Sequence, residues 1–124
     1  MSTMREAPSE TENEPVPLDP DVIAGYLAET GPFAAFFERY EQRTAQLNLV
    51  RSITDCFNRK AMGVFEAGTG VGKSLAYLLP ALIWAKANRK RIVISTGTIN
   101  LQYQLVEKDV PTARKIIPLH NPED

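Results

Sequence analysis

The sequence predicts an α/β fold, a parallel sheet flanked by helices, of which this chain carries an incomplete set of strands. Three observations predict it. Residues 62–65 and 91–95 are short apolar segments, the second β-branched at Ile92, Val93 and Ile94, as suits buried strands. A glycine-rich stretch, residues 67–74, separates the first segment from a long apolar helical pattern. The order strand, loop, helix, strand then implies a parallel pair joined by a right-handed crossover.

Residues 1–17 place Pro8, Pro15 and Pro17 among Ser, Thr, Asn and Glu, and read as a disordered acidic tail. Order is expected from residue 18 onward. Asp19 suits a helix N-cap, Pro20 its first turn, and Leu18 a staple onto Ile23. Gly31 is expected to end that helix, with Pro32 turning the chain. A second helix is expected over residues 33–40. A third covers 44–57, where Leu47, Val50, Ile53 and Phe57 recur at helical spacing. The helix after the glycine-rich loop is expected over 73–87, kinked where Pro80 removes a donor. Residues 98–108 give the last helix. Two strands alone do not make a stable sheet, so residues 18–124 read as the front portion of a larger domain.

Composition narrows the classes. Apolar residues make up 44% of the 124, enough for a globular core. No apolar run reaches the roughly 20 residues that span a bilayer, and the start lacks a signal-peptide pattern, so a cytoplasmic protein without a membrane partner is expected. Cys56 is the single cysteine, which excludes an internal disulfide and reads as a small buried hydrophobe. Beyond residue 20 the chain holds 13 basic and 10 acidic side chains, a mild excess that permits nucleic-acid binding without arguing for it.

The glycine-rich stretch carries the chemistry. Ala67, Gly68, Thr69, Gly70, Val71, Gly72, Lys73 and Ser74 fit the phosphate-binding P-loop, with alanine at the first position. The glycines let the backbone curl so that N–H groups point at phosphate oxygens. Lys73 supplies a charge for the β- and γ-phosphates, Ser74 a hydroxyl for Mg²⁺, and the following helix its positive end. The predicted fold is therefore that of a P-loop nucleoside triphosphatase, with ATP and Mg²⁺ as ligands. Glu66 ends the strand and receives no chemistry.

Two flanking segments add specificity. Upstream lies Tyr-Glu-Gln-Arg-Thr-Ala-Gln-Leu at residues 40–47; downstream lies Ser-Thr-Gly-Thr-Ile-Asn-Leu-Gln-Tyr-Gln-Leu at 95–105. With the P-loop between them, these resemble the start of a superfamily 2 DNA helicase of the DinG/XPD type, nearer to the bacterial DinG-like proteins, over about residues 18–111. The resemblance implies a RecA-like ATP-binding motor domain. It also implies that Arg43 and Gln46 contact adenine, although Thr44 stands where the family commonly has proline. Thr96, Thr98 and Gln102 would contact single-stranded DNA, with Thr98 also a candidate N-cap. Trp84 and Tyr77 read as packing residues.

Parts of the family's apparatus are missing from the sequence. The resemblance implies an Asp-Glu-x-His motif, a second motor domain and often an iron–sulfur cluster held by four cysteines. None of these occurs in residues 1–124. Phosphoryl transfer needs an acid on Mg²⁺, a group that positions water and an arginine at the γ-phosphate. The expectation is an ATP-binding segment of a 5′–3′ helicase that lacks turnover by itself. The alternative is a stand-alone nucleotide- or DNA-binding module.

Overall fold

A computed structural model describes residues 14–68 and 72–117 of the chain. Helix α1 (Pro20–Gly25) begins as the sequence predicts. Asp19 is the N-cap, its Oδ1 accepting the Asp21 N–H at 2.9 Å, and Leu18 packs against the core that holds Ile23. The helix stops six residues short of Gly31, because residues 26–31 turn tightly back on it. A Cβ at position 31 would collide with the Gly25 carbonyl oxygen, so close backbone approach is what requires glycine there.

The expected helix over residues 33–40 is a single 3₁₀ turn (Pro32–Phe36). Phe33 folds inward instead of continuing a helix, while Phe36 and Phe37 stay exposed. Phe33 is buried edge-on to both Phe37 and Tyr40, with ring centroids 5.0 and 5.5 Å apart. Tyr40 is anchored by its hydroxyl, which donates to the Leu27 carbonyl at 2.6 Å. Partial burial of that phenol raises its pKa, and the nearby Arg43 charge works the other way.

Helix α2 (Thr44–Arg59) spans the predicted range and closes on Lys60 in the left-handed region. Ala61 N–H reaches the Cys56 carbonyl and Lys60 N–H the Phe57 carbonyl, which satisfies the last carbonyls in a Schellman pattern. Helix α3 (Lys73–Asn88) runs through Pro80, which is fully buried. The two helices pack with α1 around Ile23, Leu27, Leu47, Val50, Ala76 and Leu79. Trp84 on α3 is buried against the Phe57 ring, centroids 5.5 Å apart, so it packs as expected.

The predicted parallel sheet is not present. Among the described residues there is no strand, and both segments taken for buried strands have irregular backbone with exposed side chains. Val64 is 100% exposed, Met62 96% and Val93 91%. The reason is physical. A strand is stabilised by ladder partners, and two segments cannot satisfy each other and also cover both faces. Helix-on-helix packing supplies the core instead. The α/β fold class is thus corrected to a helical arrangement for the described residues. Cys56, expected to be buried, is half-buried and borders an open cavity with Phe57, Gly63 and Phe65.

The last helical stretch is longer than predicted. Helix α4 (Ile99–Gln104), a π turn (Leu105–Asp109) and helix α5 (Val110–Ile116) follow one another without a break. Val110 N–H donates to the Leu105 carbonyl five residues back. Pro111, which has no N–H to give, follows directly. The widened turn accommodates it, and burial of Ala113, Ile116 and Ile117 in the core extends the helix past residue 108.

Residues 14–19 lie across the ends of α2 and α3. Asn58 donates to the Leu18 carbonyl at 2.7 Å and accepts the Leu18 N–H at 2.8 Å, while Asn88 makes the same pair of contacts to Val16. Asn58→Ala removes both Leu18 bonds and is expected to lower stability by about 1–2 kcal/mol. Urea unfolding monitored by circular dichroism measures it, and an unchanged midpoint would show that the strap contributes nothing. The rest of the tail, residues 1–13, lies outside the described residues.

Candidate nucleotide-binding site

Helix α3 starts on Gly72, which has φ 86° and ψ 46°. This left-handed conformation is one that glycine adopts without strain. It turns the loop's end into the helix, so that Lys73 and Ser74 occupy the first turn. Lys73 is exposed and Ser74 half-buried. Ala67 and Gly68 are described and reach the surface, whereas Thr69, Gly70 and Val71 lie outside the described residues.

Gln46 comes to the same point from α2. It is buried, 4% exposed, and its Nε2 donates to the Gly72 carbonyl at 3.0 Å. That carbonyl also accepts the Ala76 N–H at 3.2 Å. A Cβ at Gly72 would collide with Gln46 Nε2 and stand 3.7 Å from Arg43 Nη1. Two residues 26 and 29 positions upstream of the loop's last glycine are therefore brought to it by packing of α2 on α3. The structure brings Gln46 onto Gly72 and Arg43 beside it, and neither lines the cavity that Lys73 and Ser74 border.

An open cavity of about 580 Å³ adjoins this point, bordered by Gly72, Lys73 and Ser74 on one side. The size falls in the roughly 300–1,000 Å³ range of small-ligand sites. Lys108, Asp109 and Lys115 also line it, with Phe33, Phe36 and Phe37 as apolar lining. Sequence reasoning passed over these residues. The one local signal was Pro111 two positions after Asp109, a proline that marks a disturbed helix.

The residues suit a nucleoside triphosphate with a divalent cation. Lys73 brings an ammonium to the cavity beside the positive end of a sixteen-residue helix. Among the described residues no group of three or more His, Cys, Asp or Glu stands ready to hold a metal. A cation there needs oxygens from its ligand, as Mg²⁺ at phosphate sites ordinarily does. Ser74 is placed to add a hydroxyl.

Thr96, Thr98 and Gln102 are not brought to this cavity. Thr98 is the N-cap of α4, its Oγ1 accepting the Leu101 N–H at 3.1 Å, and Thr96 Oγ1 donates to the Thr98 carbonyl at 2.9 Å. Gln102 lines a separate shallow groove on α4. Helix α4 buries none of its residues, with Ile99 and Tyr103 exposed. Among the described residues, no helix is long and apolar enough to cross a membrane.

A left-handed glycine, a lysine and a serine thus open a helix beside an open cavity lined by three lysines. Known proteins narrow this further. The chain is 37% identical over 101 residues to the ATP-dependent DNA helicase DinG of Salmonella choleraesuis, covering 82% of this chain and 14% of that protein. It is 36% identical over 95 residues to the ATP-dependent DNA helicase YoaA of Haemophilus influenzae, covering 77% and 14%. Over 79 residues it is 37% identical to a Bacillus subtilis protein named 3′-5′ exonuclease DinG, covering 64% and 8%. The chain is a segment of DinG-like helicase sequence, and spans about a tenth of the length of these relatives. No protein-family model matches it, and no solved structure does.

Proposed function

We propose that this chain is the ATP-binding N-terminal segment of a DinG-like ATP-dependent DNA helicase, its residues 18–124 forming the first part of a motor domain. The observation that carries the proposal is the placement of Gly72, Lys73 and Ser74 at the start of α3, over an open cavity and against Gln46. Residues 67–74 bind the triphosphate. Lys73 holds the β- and γ-phosphates, and Ser74 reaches Mg²⁺ through the nucleotide. Arg43 and Gln46 stand beside the loop's end, from which they contact the adenine. Bound Mg²⁺ supplies positive charge that neutralises phosphate oxygens.

The DNA-facing part of the reading rests on α4. Thr96, Thr98 and Gln102 contact phosphates of single-stranded DNA without reading its sequence. In the whole protein, ATP hydrolysis drives 5′–3′ movement along that strand, in repair or replication, in the cytoplasm. This segment holds nucleotide without turning it over, because water positioning and an arginine at the γ-phosphate come from elsewhere in the protein.

Equilibrium titration with a fluorescent ATP analogue and Mg²⁺ tests the proposal. Weak, saturable binding is expected for the unaltered chain, and a loss of at least about tenfold for Lys73→Ala, the effect of removing one charged contact. Equal binding by both proteins would remove the loop as the site. Steady ATP turnover is expected to be undetectable with or without single-stranded DNA, and Lys73-dependent turnover would contradict the holding role.

A further inference from the structure

We infer that the cavity at the ends of α2 and α3 binds single-stranded nucleic acid, a base entering among its aromatic side chains while phosphates meet its cations. The site shares no lining residue with the nucleotide cavity or with the groove on α4, so it stands apart from both. It is open and holds about 480 Å³, within the roughly 300–1,000 Å³ of small-ligand sites. Phe57 and Trp84 line it, their ring centroids 5.5 Å apart and their planes tilted by 30°. Phe65 lines it as well and is 43% exposed. Its ring stands so close to Gly63 that a Cβ there would collide with the ring and with Cys56 Sγ.

The lining selects the ligand. Aromatic side chains hold flat unsaturated rings by stacking, whatever the base. Lys60, Lys90 and Arg91 line the same cavity, and among the described residues no acidic side chain does. Three cations around one apolar cavity suit a ligand that carries several anionic groups. A fatty acid brings a single carboxylate, whereas a nucleic-acid strand brings one phosphate with every base. An acidic peptide would meet the cations but has no flat ring beside each charge for the aromatic residues to hold. A duplex keeps its bases inside the stack, so only a single strand offers one to the cavity. Lys60 and Lys90 also stand at or just beyond the C-terminal ends of α2 and α3, where cations favour the helix dipoles. That local role needs neither Arg91 nor an exposed Phe65, and it leaves a single strand unbound.

The test titrates the full 124-residue chain with oligothymidylate at low salt. Two probes within the cavity report on it, since Trp84 is the only tryptophan and Cys56 the only cysteine. A saturable change in tryptophan fluorescence is expected, with alkylation of Cys56 by iodoacetamide slowed at saturation. Phe65→Ala is expected to weaken binding at least about fivefold, the effect of losing one base stack. Lys90→Ala combined with Arg91→Ala is expected to weaken it and to lower the salt dependence by about two phosphate contacts. Arg39→Ala removes an exposed cation outside the cavity and is expected to leave affinity unchanged. Phe65, Lys90 and Arg91 are exposed, so their variants are expected to keep the helical circular dichroism of the unaltered chain. An abasic strand of the same length is expected to leave Trp84 unchanged. If it alters Trp84 as oligothymidylate does, no base enters the cavity and the inference is overturned. If the Lys90, Arg91 variant binds as tightly as the unaltered chain, the cations serve only the helix ends and the result is the same. Binding that leaves Trp84 and Cys56 unaffected, or no binding at all, overturns it too.

Discussion

Leu79→Ala is expected to be among the most destabilising single substitutions in the chain, lowering stability by about 2–5 kcal/mol. Leu79 has no exposed surface and belongs to the core cluster where α3 packs on α2. Truncating it removes three carbons from water-free contact and leaves a cavity that the surrounding helices fill only in part. Small domains hold only about 5–15 kcal/mol in total, so a loss of this size shifts the urea midpoint strongly. Leu101→Ala provides the contrast. Leu101 lies on α4, is 45% exposed and belongs to a helix with no buried residue, so its change is expected to stay within about 0.5 kcal/mol. Equal midpoint shifts for the two variants would contradict the helical core described here.

Gly72→Ala is expected to damage both stability and nucleotide binding. Two separate costs arise. An alanine held at φ 86° pays about 1–2 kcal/mol for the left-handed conformation. Its Cβ also drives Gln46 from the bond to the Gly72 carbonyl, a further loss of about 1 kcal/mol. The side chain can swing away but the backbone angle stays, so the two costs are separable. Gln46→Ala in the Gly72→Ala background is expected to relieve the collision and to leave the backbone cost. The double-mutant cycle should then show coupling of at least about 0.5 kcal/mol between the two sites. Strict additivity would mean that Gln46 does not hold the loop's end.

The sequence made some features legible because they depend on near neighbours. The Asp19 cap, the helix expected over 44–57 and observed to residue 59, and the helix opening on Lys73 all follow from spacing and end signals within a few residues. The left-handed turn at Gly72 that leads into Lys73 and Ser74 was legible for the same reason. The strands were not. Val64 and Val93 have the right side chains for a sheet, but a ladder needs partners that pattern alone cannot provide. The short 3₁₀ turn at Pro32 also escaped notice, because the mutual packing of Phe33, Phe37 and Tyr40 outweighs helical propensity there.

The site divides along the same line. Lys73 and Ser74 are named by their own motif. Gln46 and Arg43 entered through resemblance, and only the packing of α2 on α3 shows why they stand at Gly72. Asp109, 36 residues after Lys73, has no sequence signal linking it to the loop. Its placement depends on continuation of the last helix through Pro111 and on burial of Ile116 and Ile117.

The central claim is that nucleotide is held at the start of α3. The most direct test is a ¹H–¹⁵N correlation spectrum of the labelled chain, recorded during titration with Mg²⁺ and ATP. The account predicts saturable shifts at the Gly72, Lys73 and Ser74 amides and at the Gln46 side-chain amide, absent in Lys73→Ala. Shifts confined to other residues, such as those around Cys56 and Trp84, or shifts that persist in Lys73→Ala, would contradict it.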